Sequence, residues 1–167
     1  MRVIVIGGTG TIGSAVVKLL STRHEVVTVG HKRGTYQVDL ASPDSITSLF
    51  KTIGTCDAVV STAGIAKFAS LDDLTYDDYF IGLKNKLMGQ ANLVRIGKPF
   101  VTNHGSFTLT SGVLSQEPMK GSCAISMANA GLEGFVRAAA IDLPRSLRVN
   151  VVSPPWVTET LIARGMD

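Results

Sequence analysis

Short apolar runs alternate with longer stretches of helical periodicity along the whole chain. Runs at 2–6, 25–29, 36–39, 57–61, 106–110 and 147–152 predict strands, and apolar spacing predicts helices over about 11–22, 43–53, 75–96 and 122–142. In the first helical stretch Ile12, Ala15, Val16, Leu19 and Leu20 form the apolar face, with Ser14 and Lys18 outward. Ser42-Pro43 supplies an N-cap and a first-turn proline for the second, and Gly54 a stop. Thr75 caps the third, with Asp77 and Asp78 at the positive end of its dipole. Strands apolar on both faces, separated by helices, predict an α/β fold: a doubly wound parallel sheet of six or seven strands flanked by helices. There is no repeat, linker or low-complexity stretch, so residues 1–167 read as one domain. Only a short tail without strand character follows 147–152. If that strand lies at the sheet edge, its backbone is open to pairing, and a partner or a further strand is expected to cover it.

The first strand leads into Gly7-Gly8-Thr9-Gly10-Thr11-Ile12-Gly13 and then straight into a helix. Glycines in such a turn let the backbone approach a pyrophosphate, and the helix N-terminus offers unpaired N–H groups to the anion. A ligand-free strand–helix turn could also use glycine. The strand before it and the helix after it favour a Rossmann-type dinucleotide site with Gly7, Thr9, Gly10, Thr11, Ile12 and Gly13 at the cofactor. The second strand ends in Gly30-His31-Lys32-Arg33, with no carboxylate to bind the adenine ribose hydroxyls. Cationic side chains there suit the 2′-phosphate of NADP(H) better than NAD(H), the alternative being a solvated basic loop. Asp39 and Leu40 stand where adenine would be contacted, unless Asp39 only closes a turn.

Composition narrows the partners. With 45% hydrophobic and 17% charged residues the chain is of ordinary globular type, and a net charge of +3 without an arginine stripe argues against nucleic acid. Cys56 and Cys123 lack metal-ligand spacing and both lie in apolar segments, so buried thiols, no metal site and a reducing compartment are expected. The opening apolar run is too short for a leader or a membrane span, which makes a cytoplasmic location the expectation. His24, His31 and His104 are scattered and receive no catalytic role.

Gly7, Gly10 and Gly13, then Asp39, then Ser61-Thr62-Ala63-Gly64 after the fourth strand resemble the short-chain dehydrogenase/reductase family over nearly the whole chain. Ser61, Ala63 and Gly64 then correspond to that family's Asn-Asn-Ala-Gly element beside the cofactor. Ser106–Ser111 is similar to its fifth strand, which ends in the catalytic serine, here Ser111. Arg148–Val157 is similar to its sixth strand and nicotinamide loop, which places Pro154 and Thr158 at the nicotinamide. The resemblance implies an NADP(H)-dependent oxidoreductase for carbonyls or alcohols, and a homodimer or homotetramer joined through the long helices.

The reaction centre departs from that pattern. The family's Tyr-x-x-x-Lys pair falls on Ile125 and Asn129 when Ala130–Phe135 is aligned. Isoleucine has no exchangeable proton, and asparagine can bind a ribose hydroxyl but carries no charge. The family's upstream helix asparagine falls on Lys86, and its loop Pro-Gly becomes Pro154-Pro155, with Glu159 at the carboxamide-binding threonine. An atypical subgroup without the usual active site looks similar, notably at Lys86–Gln90 and Leu109–Gly112. The catalytic candidates are therefore Ser111, Lys86 and Asn129. Two readings follow: a reductase with an altered proton donor, or an NADP(H)-binding sensor or scaffold without chemistry. A sugar-nucleotide epimerase relative would need a larger C-terminal domain and the same tyrosine.

Overall fold

The run Val3–Ile6 is buried because its strand lies in the middle of the sheet, with a strand on either side and helices above and below. The computed structural model describes residues 1–163. Its sheet contains β1 (Arg2–Ile6), β2 (Glu25–Gly30), β3 (Tyr36–Gln37), β4 (Cys56–Ser61), β5 (Val101–Thr110) and β6 (Arg148–Val152), ordered β3-β2-β1-β4-β5-β6. Every pairing is parallel. The larger core joins Ile4, Ile6, Val59, Phe107 and Leu109 to Phe50 of α2 (Pro43–Ile53), Leu93 of α4 (Gly89–Gly97) and Leu132 of α5 (Cys123–Asp142). On the opposite face Val3, Val5 and Ala58 pack under α1 (Thr11–Leu20).

The caps form as the sequence indicates. The Ser42 hydroxyl accepts from the Ser45 N–H at 3.2 Å, and Thr75 and Asp78 satisfy each other's backbone N–H groups ahead of α3 (Tyr76–Gly82). The 75–96 helix differs from a plain α-helix. After α3 comes one wide π-helical stretch, Leu83–Met88, and then α4. Such an insertion turns the helix face, here just where it passes the ends of β4 and β5. The expected strand 36–39 is reduced to Tyr36–Gln37, which register with Val29 and Gly30; the Val38 N–H makes the last bond to this strand, to the Gly30 carbonyl at 2.9 Å. The fifth strand starts earlier, at Val101, through an irregularity opposite Cys56 and Ala58. A short α6 (Thr158–Ala163) follows β6 and was not foreseen. Cys123 is exposed, since it opens α5 at the surface, whereas Cys56 is buried. β6 is an edge strand and alternates, with Arg148, Asn150 and Val152 exposed and Val149 buried.

The inward face of α1 is also rotated from expectation. Val16, Val17 and Leu20 pack on the sheet, Gly13 is buried, and Ala15 and Leu19 are exposed. The cause is a backbone contact at the start of the helix. A Cβ on Gly13 would lie 2.0 Å from the Gly7 carbonyl oxygen, so only glycine lets α1 sit this close to the turn. Replacing Gly13 by alanine should cost about 1–3 kcal/mol through forced displacement of α1. Urea unfolding measures this, and wild-type stability in the variant would show that α1 slides freely.

Candidate functional site

Strand order reverses at β1: the chain goes to β2 on one side and returns to β4 on the other. In open α/β sheets the crevice beyond the strand ends at that point takes the ligand. A cleft of about 730 Å³ opens there. The glycine turn forms its floor, tied to β2 by Gly7 and Gly8 N–H groups donating to the Val29 carbonyl at 2.8 and 3.0 Å. Gly7, Thr9, Gly10, His31, Asp39, Leu40, Ala63 and Gly64 all line this cleft, as the sequence suggested. One Asp39 carboxylate oxygen accepts from the Ala41 N–H at 2.9 Å, so the residue closes its own turn as well as facing the cleft.

A second cavity of about 200 Å³ adjoins the first, sharing Thr62 and Gly64 with it. Here the structure brings together Ile12, Lys86, Ser111, Ile125, Asn129 and Pro154, which arrive from five separate segments. Lys86 lies in the π-helical stretch. Its stem passes Gly64 so closely that a Cβ there would stand 2.7 Å from Lys86 Cγ, and its ammonium donates to the Ser111 carbonyl at 3.0 Å. Burial pushes this ammonium from its ordinary 10.5 down to about 8. Asn129 donates its amide to the Gly112 carbonyl at 3.2 Å, while its Oδ1 is buried with no partner. Such an orphan acceptor suits a ligand hydroxyl, and together with the long cleft it fits a dinucleotide whose ribose reaches this point.

Two polar residues that the sequence reading missed hold the second cavity in place. Gln90, fully buried, donates to the Thr110 carbonyl at 2.9 Å and accepts from its N–H at 3.0 Å. Glu133 Oε1 accepts hydroxyl bonds from Ser111 at 2.8 Å, Ser115 at 2.6 Å and Ser153 at 2.9 Å. Burial raises the Glu133 pKa, but the serine hydrogen bonds outweigh it and hold the carboxyl below its ordinary value. A carboxylate can only accept, so Ser111 gives its proton to Glu133 and has none to offer to the cavity. A lone glutamate within the small and apolar run Ala128–Phe135 was the available signal. The large cleft has a further wall of Asp77, Phe80, Ile81 and Lys84, whose helical spacing was equally readable.

Other expected site residues stand elsewhere. Ser61 is fully buried behind the cleft and is no wall of it; Thr62 takes that position, because strand alternation points Ser61 into the sheet. Gly13 is covered by the turn it packs on, and Thr11 lines neither cavity. Lys32 and Arg33 are exposed beyond His31 and do not line the cleft. Thr158 opens α6 beside Val157 and Thr160, which do line the second cavity. Among the described residues no group of His, Cys, Asp and Glu could hold a metal, and no helix is long and apolar enough to cross a membrane.

The Lys86 environment sets a pH signature. Unfolded, the residue titrates near 10.5; folded, near 8. Between those values the unfolded chain keeps the proton that the folded chain has released, so the contribution of Lys86 to stability rises with pH across that window. Urea unfolding from about pH 7 to about pH 11 should show wild type gaining on Lys86→Met by an amount on the order of a few kcal/mol. A pH-independent difference between the two would contradict the burial of this charge.

Residues 9–167 match the family model described as enoyl-(acyl carrier protein) reductase. The chain is 33% identical to the short-chain dehydrogenase/reductase ATR9 of Stachybotrys chlorohalonatus over 135 residues, which is 74% of this chain and 53% of that protein. It therefore spans about half the length of that relative. The fold superposes on the crystal structure of lin1944 from Listeria innocua with a TM-score of 0.95 and 38% identity, over 97% of this chain and 81% of the other. A small-chain dehydrogenase solved in complex with NADPH superposes with a TM-score of 0.88 and 29% identity, over 100% and 75% of the two chains. The glycine turn at the switch point, the six-stranded order and these matches make the chain a member of the short-chain dehydrogenase/reductase family.

Proposed function

We propose that the chain is an NADP(H)-dependent oxidoreductase for a carbonyl or alcohol substrate, with a reaction centre rebuilt around Lys86. The observation that carries this reading is the pair of adjoining cavities, a long cleft over the glycine turn and a smaller pocket holding Lys86, Ser111 and Asn129. Structural relatives solved with NADPH or NADP support the cofactor. Gly7, Thr9, Gly10 and Ile12 would cradle the pyrophosphate with Gly13 packed behind the turn, Asp39 and Leu40 would meet the adenine, and Asn129 Oδ1 a ribose hydroxyl. Ala63, Gly64, Pro154 and Thr158 would bound the nicotinamide half. His31, Lys32 and Arg33 would meet the 2′-phosphate, the latter two by folding in from the rim. When bound, the reduced nicotinamide supplies a hydride.

The chain must then stabilise the charge that develops on the substrate oxygen. Ile125 offers no proton and Ser111 has committed its own to Glu133. Among the described residues Lys86 is the one cation lining the pocket, able to stabilise that oxygen and protonate it, and to recover its proton from solvent. The same commitment of Ser111 favours a second reading, an NADP(H)-binding sensor or scaffold without turnover. We also propose a homo-oligomer, joined at the groove of about 350 Å³ between α4 and α5, where Met88, Ala91, Phe135 and Ala138 present apolar surface. The two unpaired cysteines suit a reducing, cytoplasmic setting.

Fluorescence titration should show NADPH binding tighter than NADH by about ten- to a hundredfold, the value of one or two charge-assisted hydrogen bonds. Joint replacement of Lys32 and Arg33 by alanine should erase that margin; equal affinities in wild type would exclude the NADP(H) assignment. In a cofactor-oxidation screen against ketones and aldehydes, Lys86→Met should lose at least about a hundredfold in turnover, as expected for removal of a proton donor. Tight NADPH binding with no turnover on any carbonyl would decide for the sensor.

A further inference from the structure

The second cavity carries a charge that no described residue balances. Lys86 is largely withdrawn from water, and among the described residues no carboxylate lies within ion-pair distance of it. An ammonium has three N–H donors. One is spent on the Ser111 carbonyl, which leaves two. A buried cation in that condition is an electrostatic cost until an anion meets it. Glu133 does not serve: no ion pair joins it to Lys86, and its Oε1 is held by three serine hydroxyls.

The neighbouring donors are turned away. Ser111 gives its proton to Glu133, Asn129 gives one of its two amide hydrogens to Gly112, and Thr62 gives its hydroxyl to the carbonyl of Ile6 or Gly7. Among the described residues Lys86 is the one cation in the lining. Leu114, Ile125 and Val157 give the cavity apolar wall, beside Thr62, Thr110 and Thr160. Trp156 also lines the cavity and meets Phe68 edge to face with ring centroids 6.5 Å apart, and Phe68 stays 40% exposed. A cavity with aliphatic walls, a tryptophan in its lining and one cation fits a ligand with an apolar body and an anionic head.

We propose that this cavity takes a 2-oxo acid with an apolar side chain, or the matching 2-hydroxy acid, its carboxylate and its 2-oxygen each accepting one of the two remaining Lys86 N–H groups. The apolar side chain runs out beneath Phe68 and Trp156. The two acceptors of such an acid sit on adjacent carbons, a spacing that one ammonium can bridge. A neutral ketone would leave the cation unbalanced, and an amine substrate would add a second one. The proposal rests on the oxidoreductase reading above for the chemistry, but not for the binding.

Calorimetric titration of benzoylformate and of its uncharged amide, benzoylformamide, tests it with protein alone and with protein saturated by NADP⁺. The acid should bind at least about tenfold tighter than the amide, and Lys86→Met should abolish that margin while leaving NADP⁺ affinity within about twofold. Phe68→Ser should weaken the acid by about threefold or more, through lost apolar contact. Equal binding of acid and amide to wild type overturns the proposal, whether or not the lysine variant folds. A Lys86→Met protein that loses NADP⁺ and keeps benzoylformate also overturns it, by assigning Lys86 to the cofactor. Discrimination for the acid in a protein that does not bind NADP⁺ would instead remove the oxidoreductase reading and uphold the anion site.

Discussion

Parallel strands of unequal reach leave backbone groups without partners at their C-terminal ends, and in this protein each such group is met by a residue that also shapes a cavity. β4 ends at Ser61 while β5 runs on to Thr110, so Thr110 has lost its strand neighbour on that side. The Gln90 amide replaces it in both directions, and the Thr110 hydroxyl donates to the Ser61 carbonyl at 2.7 Å. On the other side the Ser111 N–H donates to Val152 and the Val113 N–H to Pro154. Thr62 N–H donates back to Ile6. A buried amide or carbonyl left unpaired costs about as much as a lost hydrogen bond, so these substitutes are obligatory. They hold Ser111, Pro154 and Thr62 around one small volume.

The two ionisable groups near that volume are treated in opposite ways. Glu133 is packed behind the cavity and satisfied by hydroxyls from the end of β5, from the turn Val113–Ser115 and from the loop after β6. It fastens three segments to α5 and keeps its charge. Lys86 borders the cavity, has one carbonyl partner, and its burial disfavours the charged ammonium. A paired, hydrogen-bonded charge stabilises an arrangement, whereas an unpaired one is kept at the expense of stability and marks a place where a ligand acts.

The helical run from Tyr76 to Gly97 connects these features. Its wide stretch at Leu83–Met88 shifts the helix phase between the cleft-facing residues Asp77, Phe80 and Lys84 and the sheet-facing residues Gln90 and Leu93. A regular helix over the same residues would keep one face throughout. The insertion lets one helix line the large cleft with its first half, aim Lys86 at the second cavity, and seal the core with its last half.

Much of this was legible in the chain itself. Central strands read as continuous apolar runs because both their faces are covered, and Ser42, Thr75 and Gly54 mark helix ends by local hydrogen bonding and backbone geometry that need no distant partner. The glycine turn is local for the same reason, and it located the large cleft. The sequence also brought Lys86, Ser111, Ile125 and Asn129 into one hypothesis through family resemblance. What periodicity could not supply was rotation and polarity. The face of α1 depends on a contact between Gly13 and Gly7 that outranks the apolar count along the helix. Ser61 and Thr62 differ only by the alternation of a strand whose exact end is set by its neighbours. Whether Ser111 donates into the cavity or away from it is decided by Glu133, far off in sequence and brought within 2.8 Å by the packing of α5 on β5. Local structure follows from neighbouring residues, while the direction of a single buried hydrogen bond exists only once the whole sheet and its helices have closed around it.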